Sequence, residues 1–220
     1  MDIFNTVYGG DWSWKPWANT VAYYPLNSTT TNTDQSWNWN TLTNQWAVFW
    51  TYGWVNCANT TGKSLYCSIA NMPLGASSRT ISVWANAQGG TSGWMAIYGY
   101  GQSLNSRLYV LYRTTNNWWV LVLGHYPWDA ETTTVMDTNK WYLITTTYDG
   151  ATSKVYINWT LAWSSTVTLA TTSSNFIISW WWVGNETFNW YISNVIVENK
   201  AWTSDEIANY YNKTKKNYWL

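Results

Sequence analysis

The clearest evidence for the fold class is the stretch KWYLITTTYDGATSKVYINWTLA at residues 140–162. It contains two runs rich in Val, Ile, Thr, Tyr and Trp, at 140–149 and 154–159, with a Tyr-Asp-Gly turn sequence between them. Short runs of this composition, bounded by turn residues, are typical of antiparallel strands. Similar runs recur along the whole chain, and we predict further strands at 21–26, 55–59, 64–69, 80–87, 93–100, 107–113, 117–125, 168–170, 176–179 and 190–200.

The run at 80–87 carries bulk on both faces, because Ile81 and Val83 alternate with Ser82 and Trp84. Strands of this kind fit a two-layer sandwich. Near the end of the chain, Thr203 opens Thr-Ser-Asp-Glu, which is a capping box. We therefore predict a short helix at 204–213 that docks on the sandwich.

Charge and hydropathy limit the possible partners. The 220 residues include 11 basic and 11 acidic residues without a charged block, so the basic surface of a nucleic-acid binder is missing. No run reaches 18 apolar residues, and residues 1–20 lack the basic and apolar regions of a signal peptide. We predict one domain at 21–220, preceded by an N-terminal extension or remnant at 1–20, with no nucleic-acid partner and no membrane insertion.

Four segments in order resemble one superfamily: VAYYPLNSTTTNTDQSWNWN at 21–40, TISVWANAQ at 80–88, the 140–162 stretch, and FNWYISNVIVENKAWTSDEI at 188–207. Together they are similar to the laminin-G-like, concanavalin A-like lectin/glucanase superfamily. This resemblance implies an all-β fold, an antiparallel jelly-roll sandwich of about a dozen strands with one short C-terminal helix. It also implies an extracellular setting and, often, sugar binding.

Tryptophan is unusually frequent, with 22 Trp against 13 Gly. Trp37, Trp39, Trp159 and Trp190 stand where the family has glycine. A turn glycine adopts a positive φ that costs a residue with a Cβ roughly 1 kcal/mol or more. We therefore hypothesise that these positions are encoded by UGA, which the native organism reads as glycine and which has here been translated as Trp. We also predict strained or rearranged backbone at these four positions.

The same hypothesis extends to further tryptophans, namely Trp46, Trp50, Trp54, Trp163, Trp180, Trp181, Trp182 and Trp219. By contrast, Trp84, Trp141 and Trp202 fall where the family itself uses Trp or a large apolar residue. The alternative is a truly Trp-rich lectin with several stacking platforms. Codons decide between the two, since UGG at these positions would exclude recoding.

Catalytic residues are not evident. Glycoside hydrolysis needs two carboxylates about 5–10 Å apart, and the Glu-x-Asp-x-x-Glu string of the sandwich glucanases does not occur in this sequence. The lone His125 has no second His or nearby Cys, so a zinc site or a nucleophilic triad is unsupported. We expect no enzyme. The family often holds calcium at the sandwich rim, and Asp129 and Glu131 are the candidate ligands, unless they lie in a solvated loop.

A sugar site is the leading functional prediction. Aromatic rings cover the C–H faces of a pyranose while polar side chains hydrogen-bond its hydroxyls. The candidate ligand-binding residues are Trp94, Tyr98, Arg107, Trp118, His125, Tyr126, Trp128 and Asp129. In the alternative interpretation the strand aromatics belong to the core and Trp128 is a misread glycine.

Cys57 and Cys67 flank a turn sequence that contains Gly62. A hairpin centred on Gly62 would place the two cysteines opposite each other, at a separation that a disulfide can bridge. The alternative is two buried thiols. A disulfide would indicate that the domain works outside the cytosol.

These observations favour a non-catalytic, extracellular or cell-surface domain that binds a glycan or surface protein and mediates attachment, excised from a longer secreted or anchored protein. The first alternative is a structural module, such as the head of a surface or pilus-type protein. A glycoside hydrolase is the third.

Overall fold

The computed structural model of the chain describes residues 18–88, 95–101, 108–114, 120–124, 130–179 and 190–220. Fifteen strands and one α-helix, α1, form within these residues, and a short 3-10 helix follows α1. The strands are β1 Thr20–Tyr24, β2 Thr43–Gln45, β3 Val48–Tyr52, β4 Val55–Asn59, β5 Ser64–Cys67, β6 Arg79–Ala87, β7 Met95–Gly101, β8 Leu108–Thr114, β9 Val120–Gly124, β10 Ala130–Glu131, β11 Trp141–Tyr148, β12 Thr152–Ile157, β13 Thr160–Thr166, β14 Phe176–Ile178 and β15 Trp190–Glu198. The helices are α1 Ser204–Thr214 and the 3-10 helix Lys215–Tyr218.

Two antiparallel sheets make up the sandwich. Sheet A has the order β13-β12-β11-β6-β15-β4-β3, with β1 added beside β15. Sheet B has the order β10-β9-β8-β7-β14-β5-β2. The non-sequential neighbours in both sheets are those of a jelly roll, so the predicted fold class is confirmed.

Most predicted strands are present, but the run at 168–170 is not a strand. Leu169 is buried there, and its N–H donates to the Tyr148 hydroxyl (3.3 Å) rather than to a neighbouring strand. Four strands were missed, β2, β3, β10 and β13. Two of them, β3 and β13, are the edges of sheet A and are largely exposed, so they lack the apolar face by which strands are recognised.

The core has two layers. Between the sheets, Ile81, Val83 and Ala85 of β6 pack with residues from both sheets. The opposite face of β6 carries Trp84, which belongs to a second cluster beneath α1 together with Trp141 and other aromatic residues. The alternation predicted for this strand is confirmed, and it explains why both of its faces are bulky.

The capping box is also confirmed. The Thr203 hydroxyl accepts a hydrogen bond from the Glu206 N–H (3.2 Å), and the Glu206 carboxylate accepts one from the Thr203 N–H (2.8 Å). The buried side of α1, which includes Ile207, Tyr210 and Tyr211, packs on sheet A. The helix therefore covers the outer face of one sheet.

The predicted cysteine hairpin and its disulfide are wrong. Gly62 does have a positive φ of 63°, but the chain passes there from β4 in sheet A to β5 in sheet B. Cys57 therefore lies in the cluster beneath α1, and Cys67 lies between the sheets, where its sulfur is 3.3 Å from the Tyr24 hydroxyl. Both cysteines are free and buried, and burial raises the pKa of Cys57 to about 12. Without a disulfide, the cysteines give no reason to place the domain in an oxidising compartment.

The N-terminal boundary stays a prediction. Residues 1–17 lie outside the described residues, and β1 begins at Thr20, next to the predicted domain start. The Thr20 hydroxyl donates to Glu198 (2.9 Å), so the first strand is tied to the last strand of sheet A.

Candidate functional site

Most residues of the predicted sugar site lie outside the described residues. These are Trp94, Arg107, Trp118, His125, Tyr126, Trp128 and Asp129. The strands that adjoin them in the chain, β7 to β10, are described, and they are consecutive neighbours in sheet B. The register of these strands therefore shows which strand ends lie close together.

At one end of sheet B lie the strand ends that are adjacent in the chain to the predicted polar residues. Gly101 is opposite Leu108, Gly124 is opposite Val110, and Ala130 is opposite Leu123. We call this end of the sandwich the Gly124 rim. Leu108 directly follows Arg107, Gly124 directly precedes His125, and Ala130 directly follows Asp129.

The strand ends next to two predicted aromatics lie at the other end of the sheet. Met95, which follows Trp94, is opposite Arg113, and Thr114 is opposite Val120, two residues after Trp118. The candidate residues therefore adjoin two opposite ends of sheet B. Five of the seven candidates outside the described residues, namely Arg107, His125, Tyr126, Trp128 and Asp129, belong to the chain segments that adjoin the Gly124 rim.

Tyr98 does not contribute to a binding surface, so that part of the prediction is wrong. Its side chain is buried between the sheets, where its hydroxyl is hydrogen-bonded to Thr146 and its ring lies 6.1 Å from that of Phe176. A β-bulge between Ala96 and Tyr98 shifts the register with β8. Such a bulge changes which residues face the core, and simple alternation does not reveal it.

A buried arginine, Arg79, makes hydrogen bonds near the Gly124 rim, because its partner Tyr100 directly precedes Gly101. The Arg79 guanidinium donates to the Tyr100 hydroxyl (2.6 Å), the Thr171 hydroxyl (3.1 Å), and the backbone carbonyls of Gly75 (2.5 Å) and Ser77 (3.0 Å). These partners come from β7, from the loop before β6 and from the segment before β14. One fully buried cation thus joins three separate parts of the chain.

Tyrosines complete this network. The rings of Tyr148 and Tyr100 lie 5.3 and 5.9 Å from the guanidinium carbon of Arg79, within the range of cation–π attraction. The Tyr148 hydroxyl donates to the Gly150 carbonyl (2.9 Å), and the Gly101 N–H donates to Ser174 (2.7 Å). Arg79 of sheet A and Tyr100 of sheet B therefore connect the described segments at 75–77 and 171–174 beside Gly101.

Sequence reasoning missed Arg79, although a signal was present. It is the only charged residue between Lys63 and Arg107, and it is the first residue of β6, a strand that is buried along its length. A lone charge in a buried strand must find hydrogen-bond partners in the core.

The described carboxylates have structural partners in five cases. Asp34 accepts hydrogen bonds from two backbone N–H groups of its own turn and from one of β1. The N–H groups of Thr152 and Ala151 hold the pKa of Asp149 below its usual value. The other three pairings are Asp137 with Lys140, Glu198 with Thr20 and Trp202, and Glu206 with Lys200 and Thr203. These carboxylates therefore stabilise turns, a strand and the start of a helix.

No metal cluster was found within the described residues, where no group of three or more His, Cys, Asp or Glu could hold an ion. Glu131 is exposed at the end of β10, and Asp129 lies outside the described residues. The calcium site therefore stays a prediction. Among the described helices, none is both long and apolar enough to span a bilayer.

A family model for the concanavalin A-like lectin/glucanases superfamily matches residues 61–208. Among solved structures, the chain is similar to domain 4 of AbnA, an extracellular GH43 arabinanase from Geobacillus stearothermophilus, in complex with arabinotriose. That match has a TM-score of 0.66 and 17% identity, and it covers 87% of this chain and 98% of that chain. The search of curated protein sequences found no significant match.

Toxin binding domains are similar as well. The binding domain of Paraclostridial Mosquitocidal Protein 1 has a TM-score of 0.73 at 14% identity, covering 88% of this chain and 52% of that chain. The ligand-binding domain of botulinum neurotoxin serotype D, in complex with N-acetylneuraminic acid, has a TM-score of 0.70 at 15% identity, covering 88% and 50%. The chain thus spans about half the length of these toxin domains, and at such identities the likeness concerns the fold.

Proposed function

Because the chain belongs to the concanavalin A-like lectin/glucanase superfamily, we propose that it is a non-catalytic carbohydrate-binding domain that serves attachment outside the cell or at its surface. One observation carries the proposal. The chain shares its fold with an arabinanase domain that was solved in complex with arabinotriose, and the match covers 98% of that domain.

The carboxylates support binding rather than hydrolysis. Glycosidases need two carboxyl groups that face each other across the scissile bond. Asp34 and Glu198 are buried, and both are occupied by hydrogen bonds from the chain itself. Asp149 and Glu206 likewise hold backbone N–H groups of a turn and a helix start.

The proposed ligand site is the group of residues next to the Gly124 rim, namely Arg107, His125, Tyr126, Trp128 and Asp129. Tyr126 and Trp128 offer aromatic faces to a sugar ring, and the other three offer hydrogen bonds and charge. The Arg79 network supports this end, because it links the described segments at Gly75 and Thr171 to Tyr100, which adjoins Gly101 of the rim. A calcium ion at Asp129 and Glu131 would be an addition to this site.

An extracellular or surface location is part of the same proposal. The arabinanase is described as extracellular, and the toxin domains are binding domains of toxins. Only 10% of the residues are charged and the formal net charge is zero, which suits contact with neutral glycans.

The experiment is a glycan array, followed by titration of the best ligand against His125→Ala and Asp129→Ala. We expect binding to one glycan class and a loss of about tenfold or more for Asp129→Ala, since a hydrogen bond to a charged group contributes about 1.5–3 kcal/mol. For His125→Ala we expect a smaller loss, since a neutral hydrogen bond contributes about 0.5–1.5 kcal/mol. Asp137→Ala, which removes an exposed carboxylate paired with Lys140, is the matched control and should bind like the unmodified chain.

Two outcomes would redirect the proposal. If no glycan class binds and the protein self-assembles cleanly, the structural module is favoured instead. Repeating the titration with calcium and with EDTA tests the ion, because only a calcium-dependent site loses affinity in EDTA.

A further inference from the structure

Five tryptophans have a backbone conformation that normally belongs to glycine. Their φ angles are positive: 71° at Trp37, 60° at Trp39, 70° at Trp46, 72° at Trp54 and 62° at Trp219. Within the described residues, five of the twelve tryptophans and five of the seven glycines have a positive φ. Among all the other described residues together, only six have a positive φ. These tryptophans follow the backbone statistics of glycine.

Packing does not offset the strain. The five side chains are 71–84% exposed, so their indole rings gain little from burial. By contrast, Trp84, Trp141 and Trp202 are at most 7% exposed, and none of them has a positive φ. A bulky residue held at positive φ without buried contacts is a local conflict between sequence and backbone.

The hairpin between β3 and β4 shows the conflict most sharply. Tyr52 is opposite Val55, so the loop has two residues, Gly53 and Trp54, with φ angles of 54° and 72°. A two-residue loop with two positive φ angles is a type I′ turn, which strongly favours Asn-Gly or Gly-Gly. Glycine at position 54 would satisfy this turn.

The end of the chain gives an independent case. Trp219 ends the 3-10 helix in the left-handed conformation, with its N–H donating to the Lys215 carbonyl. Helices commonly end with glycine in this conformation, because glycine has no Cβ to clash with the backbone. Trp37 and Trp39 lie in a third turn. The Asp34 carboxylate stabilises this turn by accepting hydrogen bonds from the N–H groups of Ser36 and Asn40.

We propose that positions 37, 39, 46, 54 and 219 are glycine in the natural protein, specified by UGA codons that its translation system reads as glycine. A stacking platform for sugars needs an exposed ring, but it does not need a positive φ. Five strained tryptophans in separate turns therefore fit misread glycines better than selected ligand contacts.

The backbone limits the inference to these five. Trp159 and Trp190 do not have a positive φ, so the structure gives no support to glycine there. In the two-residue loop between β12 and β13 the positive φ belongs to Asn158, at 59°. Trp50 and Trp163 lie in strands, and residues 180–182 lie outside the described residues.

The first test compares glycine with alanine at the same position by thermal unfolding. Alanine removes the indole but keeps the Cβ, so the difference between Trp54→Gly and Trp54→Ala isolates the backbone conformation. We expect the glycine variant to melt about 1–4 °C higher than the alanine variant, and the same order at the other four positions.

Trp50 is the matched control, because it lies in β3 of the same hairpin without a positive φ. Here the order should reverse, since glycine weakens a strand interior. If alanine equals or exceeds glycine at all five turn positions, the proposal is overturned.

The second test reads the natural product. Peptide mass spectrometry of the protein from its native cells, together with the codons, should show glycine and UGA at the five positions. Tryptophan masses and UGG codons would overturn the proposal. Neither test measures glycan binding, so failure here and failure of the proposed function are separate outcomes.

Discussion

The outer face of sheet A beneath α1 and the turns of the sandwich are both rich in tryptophan, yet the residue does opposite things in them. Beneath the helix, Trp84 is fully buried, stacks on Tyr218 with ring centroids 3.9 Å apart, and donates to the Thr214 hydroxyl (3.2 Å). In the turns, Trp39 and Trp54 are more than 80% exposed at positive φ. A residue count is therefore a poor guide to function until each side chain is placed.

The helix-covered face is stabilised by contacts that link distant parts of the chain. Trp202 donates to the Glu198 carboxylate (2.6 Å), and its ring lies 5.4 Å from that of Tyr210. Glu198 also accepts from Thr20, so β1, β15 and the start of α1 meet at one buried group. Substitutions here should disturb the whole fold, whereas those in the turns should act locally.

The largest expected effect is that of Trp84→Ala. Removing a large buried aromatic side chain costs about 3–5 kcal/mol of unfolding free energy, measured by urea or guanidinium denaturation. Trp39→Ala is the control, because replacing a largely exposed side chain changes stability by only about 0.5 kcal/mol. Equal losses for the two variants would contradict the comparison.

A smaller effect concerns pH and Glu198. Burial raises the pKa of Glu198, although the hydrogen bonds from Trp202 and Thr20 oppose the increase. A carboxyl whose pKa is raised in the folded state binds its proton more tightly there, so its contribution to stability is present below the unfolded pKa and is lost as the pH rises through the folded pKa.

We therefore expect the unmodified chain to lose stability relative to Glu198→Gln as the pH rises from about 4, near the unfolded pKa, to neutrality. Denaturant midpoints at several pH values measure this difference, and Glu131→Gln, which changes an exposed carboxylate, is the control. A difference between the unmodified chain and Glu198→Gln that does not change with pH would exclude Glu198 as its source.

Sequence predicted the fold well because the ordered segments with β6, β11, β12 and β15 carry clear alternation or turn signals. It missed β3 and β13, which are exposed edge strands whose formation depends on a neighbour rather than on their own pattern. The cysteine prediction failed because a glycine turn fixes local geometry but not whether the chain stays in one sheet.

The site was only partly predictable. Tyr98 faces the core, next to a bulge that no residue pattern announces, and Arg79 joins loops that are far apart in sequence. Contacts of this kind depend on tertiary structure. The site residues next to the Gly124 rim stay a prediction because they lie outside the described residues, whereas the Arg79 network is described but was not predicted.

The proposed function assigns glycan binding to the residues next to the Gly124 rim and not to the exposed tryptophans of the turns. The most direct test is a glycan array with the unmodified chain beside a variant with glycine at positions 37, 39, 46, 54 and 219. We predict that both proteins bind the same glycans with similar affinity. Loss of binding in the glycine variant, with its fold intact, would contradict this account and identify the turn tryptophans as the sugar platform.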